Sequence, residues 1–367
     1  MRPSSTAPSL RPIKVRRQTT PDLPLFLRKP KMTFPTSPFS TLKPGQVQDL
    51  LPTDSQSASC HQWSQEEIDA ITLAYAARRP LLVRGEPGTG KTQLARAVVA
   101  SQADWALHAE TIHPRFEPHE LLYRFDAIKR LADAQIGPAE LEKNEQNYWR
   151  PGVLWKAFGW VSAKPYLPKA ESEKQPKAHV VLIDEIDKAD SDLPNSLLEI
   201  LSQRSFTIEA LGKVIGGPGV DAPLVVITTN EERELPAAFL RRCVVLSLEP
   251  DADYRNWLVK RGEAHFGERA TENGLRAERL PRGLLELAAD QLVADRSKVK
   301  KAGLPPPGLA EYLDLLYAVL ELFPDNPKRQ REWVKRLSAY AYLKHGIVEG
   351  HPDLSQRREG VAAGKSF

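Results

Sequence analysis

One eight-residue segment, Gly-Glu-Pro-Gly-Thr-Gly-Lys-Thr at 85–92, constrains the fold of this chain more than any other feature. It matches the pattern G-x-x-x-x-G-K-[ST], follows the apolar run 81–83 and precedes the amphipathic run 93–99. Glycines allow positive backbone angles and let the main chain approach a ligand closely. A strand, a loop and a helix in this order predict a phosphate-binding loop, with amide groups and a helix N-terminus facing an anion. The alternative is a glycine-rich turn that binds nothing, which the flanking runs disfavour.

The residues of this loop have expected roles. Lys91 would reach the β- and γ-phosphates of a nucleotide, and the Thr92 hydroxyl would hold Mg²⁺. The predicted phosphate-binding residues are Gly85, Glu86, Pro87, Gly88, Thr89, Gly90, Lys91 and Thr92.

A pair of acids after a second apolar run narrows the class of protein. Residues 180–183 are apolar and are followed by Asp184 and Glu185, as in a buried parallel strand that ends at a metal site. Asp184 would complete the Mg²⁺ shell, and Glu185 would orient and polarise the attacking water. A kinase does not need the second acid, because its nucleophile is a substrate hydroxyl. The alternative reading is a helix-capping pair.

A third buried strand is predicted at 224–228, and Thr229 and Asn230 follow it. Ligands of parallel α/β sheets bind at the carboxyl ends of the strands, so Asn230 is expected in the same crevice. Its amide can hydrogen-bond both the γ-phosphate and the attacking water. The alternative is an ordinary turn asparagine.

Two arginines, Arg241 and Arg242, precede the last predicted strand. An arginine that reaches the γ-phosphate of a neighbouring subunit would stabilise the charge that develops there. The alternative is a solvated pair at a helix C-terminus, where the dipole favours cations.

The order of these motifs resembles the AAA+ ATPases. The series consists of Walker A (85–92), Walker B (180–185), a Thr-Asn sensor (229–230) and Leu-Arg-Arg (240–242). Two stretches, 150–158 and 231–242, are most similar to the MoxR-like branch. The resemblance covers about residues 60–348. It implies an α/β P-loop AAA+ module with a five-stranded parallel sheet in 5-1-4-3-2 order, flanked by helices and followed by an all-α lid.

The resemblance also implies ATP and Mg²⁺ as ligands, and a homo-oligomeric ring, usually of six subunits. MoxR-like proteins commonly act with von Willebrand factor A domain proteins, so such a partner is implied here. By matching position, Arg242 is the better candidate for the arginine that acts on a neighbour, with Arg241 beside it. One departure concerns the sensor 2 arginine of the lid. The matching stretch 303–309 has no arginine, and Arg282 is only a weak substitute.

Composition sets the remaining bounds. The 367-residue chain is 41% hydrophobic and 27% charged, which is typical of a soluble globular protein, and no apolar run could span a bilayer. Its two cysteines indicate no disulfide framework or cysteine-rich metal site, and they favour a reducing, cytoplasmic location. Residues 1–50 hold nine Lys/Arg and two Asp/Glu, a local net charge of +7. Because the whole chain has a net charge of +4, the remaining residues carry −3. That balance argues against a broad nucleic-acid-binding face.

The chain is predicted to divide into four segments. They are a disordered Pro/Ser/Arg-rich tail (1–58), a nucleotide-binding α/β domain (59–250), a strand-free helical lid (251–349) and a flexible tail (350–367). In the second segment, residues 118–134 are predicted to form one amphipathic helix. The aromatic residues at 148–160 are interpreted as packing against the sheet, with an exposed partner contact as the alternative.

The main hypothesis is an Mg²⁺-dependent ATPase that remodels or activates a partner protein, like a chaperone. A nucleic-acid-linked motor of a restriction-like or defence system is the second, with 298–301 as its small basic candidate. An ATP-gated scaffold with little hydrolysis is the third, and a small-molecule kinase is the most distant.

Overall fold

The structure is a computed structural model that describes residues 37–52, 58–190, 192–271, 274–276 and 279–343. The strands among them are β1 (Val47–Leu50), β2 (Ser59–Gln62), β3 (Leu81–Arg84), β4 (Trp105–Thr111), β5 (Tyr123–Phe125), β6 (Trp149–Pro151), β7 (Ala178–Asp184), β8 (Ser205–Ile208), β9 (Lys213–Gly216), β10 (Leu224–Thr229), β11 (Val244–Ser247), β12 (Arg269–Thr271) and β13 (Gly274–Arg276). The α-helices are α1 (Gln65–Ala77), α2 (Lys91–Ala100), α3 (Ala127–Ile136), α4 (Pro138–Asn144), α5 (Val153–Phe158), α6 (Trp160–Ala163), α7 (Lys169–Ser172), α8 (Asp192–Gln203), α9 (Ala237–Leu240), α10 (Tyr254–Phe266), α11 (Arg282–Lys301), α12 (Leu309–Leu322) and α13 (Pro327–Tyr342).

The central sheet is parallel and runs β11-β3-β10-β7-β4. Numbered along the chain, this is the order 5-1-4-3-2, so the predicted sheet is confirmed. Successive side chains of a strand point to opposite faces. Leu81 and Val83 therefore join a core with α1 and α2, whereas Leu82 joins a core with α5 and α8. Because helices cover both faces, the central strands β3, β10 and β7 contain continuous apolar runs.

The N-terminal prediction is wrong for residues 37–52. β1 and β2 pair as an antiparallel hairpin, and Phe39 is 1% exposed, with its ring edge-on to those of Tyr75 and Trp105. The apolar residues of this segment are too sparse to show a periodic pattern, yet Phe39, Leu42 and Leu50 are buried in a core with residues of α1 and α2. Residues 1–36 of the predicted tail lie outside the described residues.

The single helix predicted at 118–134 is also wrong. A 3₁₀ turn (Pro118–Leu121), β5 and α3 replace it. β5 pairs antiparallel with β6, and the Asp126 side chain accepts the Lys129 N–H, which starts α3 after the strand. The strand pairing with residues more than twenty positions away competes successfully with the local helical pattern.

Packing is the correct interpretation of the aromatic cluster. Its side chains are all buried, and they are those of Tyr148, Trp149, Trp155, Phe158 and Trp160. The indole N–H of Trp155 donates to Ser162, and that of Trp160 donates to the Lys174 carbonyl. These aromatic rings therefore fill the flank of the sheet and leave no exposed aromatic face for a partner.

The helices α10–α13 pack around a third apolar core, and residues 251–343 are called the helical region below. The expectation that it holds no strand is wrong, because β12 and β13 pair antiparallel between α10 and α11. The described residues from Pro38 onward belong to one compact unit, so the domain boundary at residue 250 stays a prediction. The predicted C-terminal tail lies outside the described residues.

Candidate nucleotide-binding site

The carboxyl ends of β3, β7 and β10 meet beside a cavity of about 850 Å³. The sheet side of this cavity includes Pro87, Gly88, Gly90, Lys91, Thr92, Asp184, Glu185, Thr228 and Asn230. The helical region closes the other side with Ala310, Leu313, Asp314, Tyr317, Ala318 and Glu321. Three motifs predicted from separate parts of the chain therefore share one pocket.

The loop 85–92 has the backbone that its sequence predicts. Gly85, Gly88 and Gly90 have φ angles of 149°, 79° and 95°. A Cβ at Gly85 would lie 2.5 Å from the Leu248 carbonyl oxygen, so only glycine fits there. Gly90 starts α2 without a side-chain cap, which leaves the first N–H groups of this helix directed at the cavity for an anion.

Lys91 is held inside the loop that it is predicted to serve. It is 7% exposed, and its Nζ donates to the carbonyls of Gly85 (2.8 Å) and Glu86 (3.0 Å). Burial lowers the pKa of Lys91, although the negative charge of Asp184 partly offsets this effect. A polyphosphate in the cavity would supply the negative charge that this desolvated ammonium lacks.

Thr92 and Asp184 lie together at the predicted metal position. The Thr92 hydroxyl is 3.0 Å from both carboxylate oxygens of Asp184. Mg²⁺ commonly takes one or two protein oxygens and completes its octahedron with phosphates and water. This hydroxyl and this carboxylate fit that requirement. No larger cluster of metal-binding side chains occurs among the described residues.

Both carboxylate oxygens of Glu185 have donors. The Asn230 amide donates to Oε1 at 3.3 Å, and the Lys188 ammonium donates to Oε2. This hydrogen bond raises the pKa of Lys188. Glu185 has a left-handed backbone with φ of 60°, and its N–H donates to the Thr228 hydroxyl at 2.9 Å. The strained turn aims this carboxylate into the cavity beside Asn230.

Three polar residues of the site carry no motif signal strong enough to have been predicted. They are Asp187, Lys188 and Thr228. Asp187 is 2% exposed and accepts the N–H groups of Asn230 and Glu232, which shapes the turn after β10. The spacing Asp-Glu-x-Asp-Lys was the only available signal, and it reads equally well as a charged helix start.

The cavity face of the helical region has no arginine. Ala310, Asp314, Tyr317 and Glu321 follow helical spacing along α12. Arg282 lies elsewhere, 61% exposed and ion-paired with Glu263 and Glu286, so it does not substitute for a sensor 2 residue.

Arg241 and Arg242 are exposed and do not line the cavity. They follow α9 just before β11, whose first residue, Val244, pairs with the first residue of β3, Leu81. The phosphate loop follows the opposite end of β3. Both arginines thus lie at the amino edge of the sheet, remote from the phosphate loop of their own chain.

No described helix is both long and apolar enough to cross a bilayer. Comparison with curated proteins finds no match. A mutant RuvB from Thermotoga maritima is similar at 13% identity, covering 75% of this chain and 69% of that one, with a TM-score of 0.38, which is too low to support any conclusion. Residues 80–243 match the family model described as the AAA domain of the dynein-related subfamily. That match and the 5-1-4-3-2 sheet together show that the chain has the AAA+ P-loop fold.

Proposed function

We propose that this chain is an Mg²⁺-dependent ATPase. The observation that carries the proposal is the convergence of Lys91, Thr92, Asp184, Glu185 and Asn230 on one cavity. A protein that uses ATP binding as a switch, without hydrolysis, needs only Lys91, Thr92 and Asp184. The carboxylate–amide pair beside them, Glu185 and Asn230, is suited to positioning a water molecule for attack on a γ-phosphate.

The proposed reaction assigns one task to each group. Lys91 and the loop N–H groups bind the β- and γ-phosphates, and Thr92 with Asp184 holds Mg²⁺, which neutralises phosphate charge when bound. Asn230 orients a water molecule, and Glu185 accepts a proton as the water oxygen bonds to the γ-phosphorus. The bond from that phosphorus to the bridging oxygen breaks, and ADP and phosphate leave.

The proposed role of hydrolysis is to remodel or activate a partner protein, as in the MoxR-like branch. Sequence resemblance supports this part, including the ring and the von Willebrand factor A domain partner. The surface position of Arg242 supports action on a neighbouring subunit. Lys298, Lys300 and Lys301 lie in the last turn of α11, where the helix dipole favours cations. They therefore add no support for a nucleic-acid motor.

The replacement Glu185→Gln tests the proposed hydrolysis. It removes the proton acceptor and keeps the shape, so ATP binding is expected to persist while turnover falls roughly 10²–10⁴-fold. Lys91→Ala is expected to abolish binding itself. Equilibrium binding of a fluorescent ATP analogue and phosphate release measure the two properties separately.

Glu199→Gln is the matched control, because Glu199 is exposed on α8 and lies outside the cavity. It should change neither property. Wild-type protein that binds ATP but releases no phosphate would favour the ATP-gated scaffold instead. Rapid turnover by Glu185→Gln would remove Glu185 from its assigned role.

A further inference from the structure

A single arginine, Arg296 of α11, connects the helical region to the phosphate loop. It is only 8% exposed. Its Nη2 lies 2.7 Å from one carboxylate oxygen of Glu86 and contacts the other as well. The guanidinium also stacks over the Tyr254 ring, 4.7 Å from the ring centroid. A planar guanidinium can lie over an aromatic ring while its separate nitrogens donate to different acceptors, a combination for which the compact ammonium of a lysine is poorly suited.

The other end of the same guanidinium holds the approach to α12. Nη1 of Arg296 donates to the Pro307 carbonyl at 2.7 Å. Gly308 follows and is the N-cap of α12. Ala310 packs closely on the phosphate loop, since a Cβ added at Gly88 would lie 2.8 Å from the Cβ of Ala310. Arg296 therefore fixes both the loop and the helix that lies on the loop.

Glu86 joins this arginine to the phosphate-binding lysine. Its side chain accepts from Arg296, and its main-chain carbonyl accepts from Lys91 at 3.0 Å. Arg296 itself does not line the nucleotide cavity, and with Glu86 it borders a second, more open cavity beside it. Its connection to the phosphates therefore runs through Glu86 rather than through direct contact.

We propose that Arg296 is a positioning residue that transmits occupancy of the phosphate site to the helical region through Glu86, which presumes the nucleotide binding proposed above. When phosphates bind Lys91, its Nζ leaves the carbonyls of Gly85 and Glu86, and the loop rearranges. The Glu86 carboxylate remains on Arg296, so α11, α12 and the loop move together. Because coupling between two sites is reciprocal, loosening the helical region weakens ATP binding.

The test measures hydrogen exchange of α12 with and without ATP and Mg²⁺ in the Glu185→Gln background. Arg296→Met and Glu86→Gln are each expected to remove the ATP-dependent protection of α12 and to weaken ATP binding about five-fold or more. The double variant should be no worse than either single one, because both break the same connection.

Arg282→Met is the matched control, since Arg282 lies on the same helix but pairs with the surface acids Glu263 and Glu286. It should keep the protection and the affinity. Glu86 has a side chain that is 45% exposed, so Glu86→Gln provides the answer if Arg296→Met does not fold. Protection and affinity unchanged in Glu86→Gln would overturn the proposal. Absence of ATP binding by the Glu185→Gln parent would instead overturn the proposed function.

Discussion

At the scale of single residues, Thr228 connects two of the sequence motifs. It is fully buried, its hydroxyl donates to Asp184, and it accepts the N–H of Glu185 at 2.9 Å. One hydroxyl on β10 thus orients the predicted metal ligand and stabilises the left-handed turn that presents the predicted proton acceptor.

Thr228→Val is expected to reduce both stability and ATP turnover. The change keeps the shape but leaves the Glu185 N–H without its acceptor, at a cost of about 1–3 kcal/mol. Urea denaturation measures the stability, and phosphate release measures the turnover. Thr207→Val on the exposed face of β8 is the control. A Thr228→Val protein that matches wild type in both assays would show that the hydroxyl is dispensable.

At the scale of elements, β4 and β7 carry a buried histidine pair. Nε2 of His108 lies 3.0 Å from Nδ1 of His179, the rings stack, and Trp160 packs against both. Burial, together with the charge of His179, lowers the pKa of His108 to about 3. Burial also lowers the pKa of His179.

This pair predicts that the fold loses stability in mild acid. Above about pH 6.5, the usual histidine pKa, the folded and unfolded chains both hold these rings neutral. Below it the unfolded chain takes up protons that the folded chain does not, so unfolding becomes easier, by up to about 1.4 kcal/mol per pH unit for His108. The loss continues down to the folded-state pKa of about 3.

His108→Gln is expected to make this pH dependence shallower, because an amide can still hydrogen-bond His179 but does not titrate. Urea midpoints between about pH 7 and about pH 5 measure the slope. The exposed His113 provides a matched His→Gln control that should keep the wild-type slope. Equal slopes for all three proteins would show that the His108–His179 pair is not the cause.

At the scale of the whole molecule, the positions of Arg241 and Arg242 require a second copy if either arginine is to meet a phosphate. Both are exposed at the amino edge of the sheet, whereas the phosphate loop lies at the carboxyl edge. A ring that places one edge against the other would bring them together.

We therefore expect ATP and Mg²⁺ to assemble Glu185→Gln protein into a ring, measured by light scattering on a sizing column. Arg242→Ala in the otherwise wild-type chain should lower turnover by roughly 10³-fold or more. Arg241→Ala is the neighbouring control and should have the smaller effect. A monomer whose turnover is unchanged by Arg242→Ala would contradict action in a neighbouring subunit.

Sequence patterns alone were enough to predict that Lys91, Thr92, Asp184, Glu185 and Asn230 share the pocket. The motifs at 85–92, 180–185 and 225–230 each couple an apolar strand to the polar residues after it. Since the ends of parallel strands meet at one edge, local patterns are enough to predict their convergence. Burial of the aromatic cluster was also predictable, because large aromatic side chains usually pack in the core of a protein.

Contacts between elements that are distant in the chain could not be predicted from local patterns. Arg296 and Glu86 are separated by 210 positions, and nothing near either residue distinguishes the pair from ordinary surface charges. The pairing of β1 with β2 also had no local sequence signal. The pairing of β5 with β6 overrides a local helical pattern. A sequence pattern indicates the structure that a segment favours by itself. These contacts form because packing brings remote segments together, and burial of apolar surface and hydrogen bonds then stabilise them.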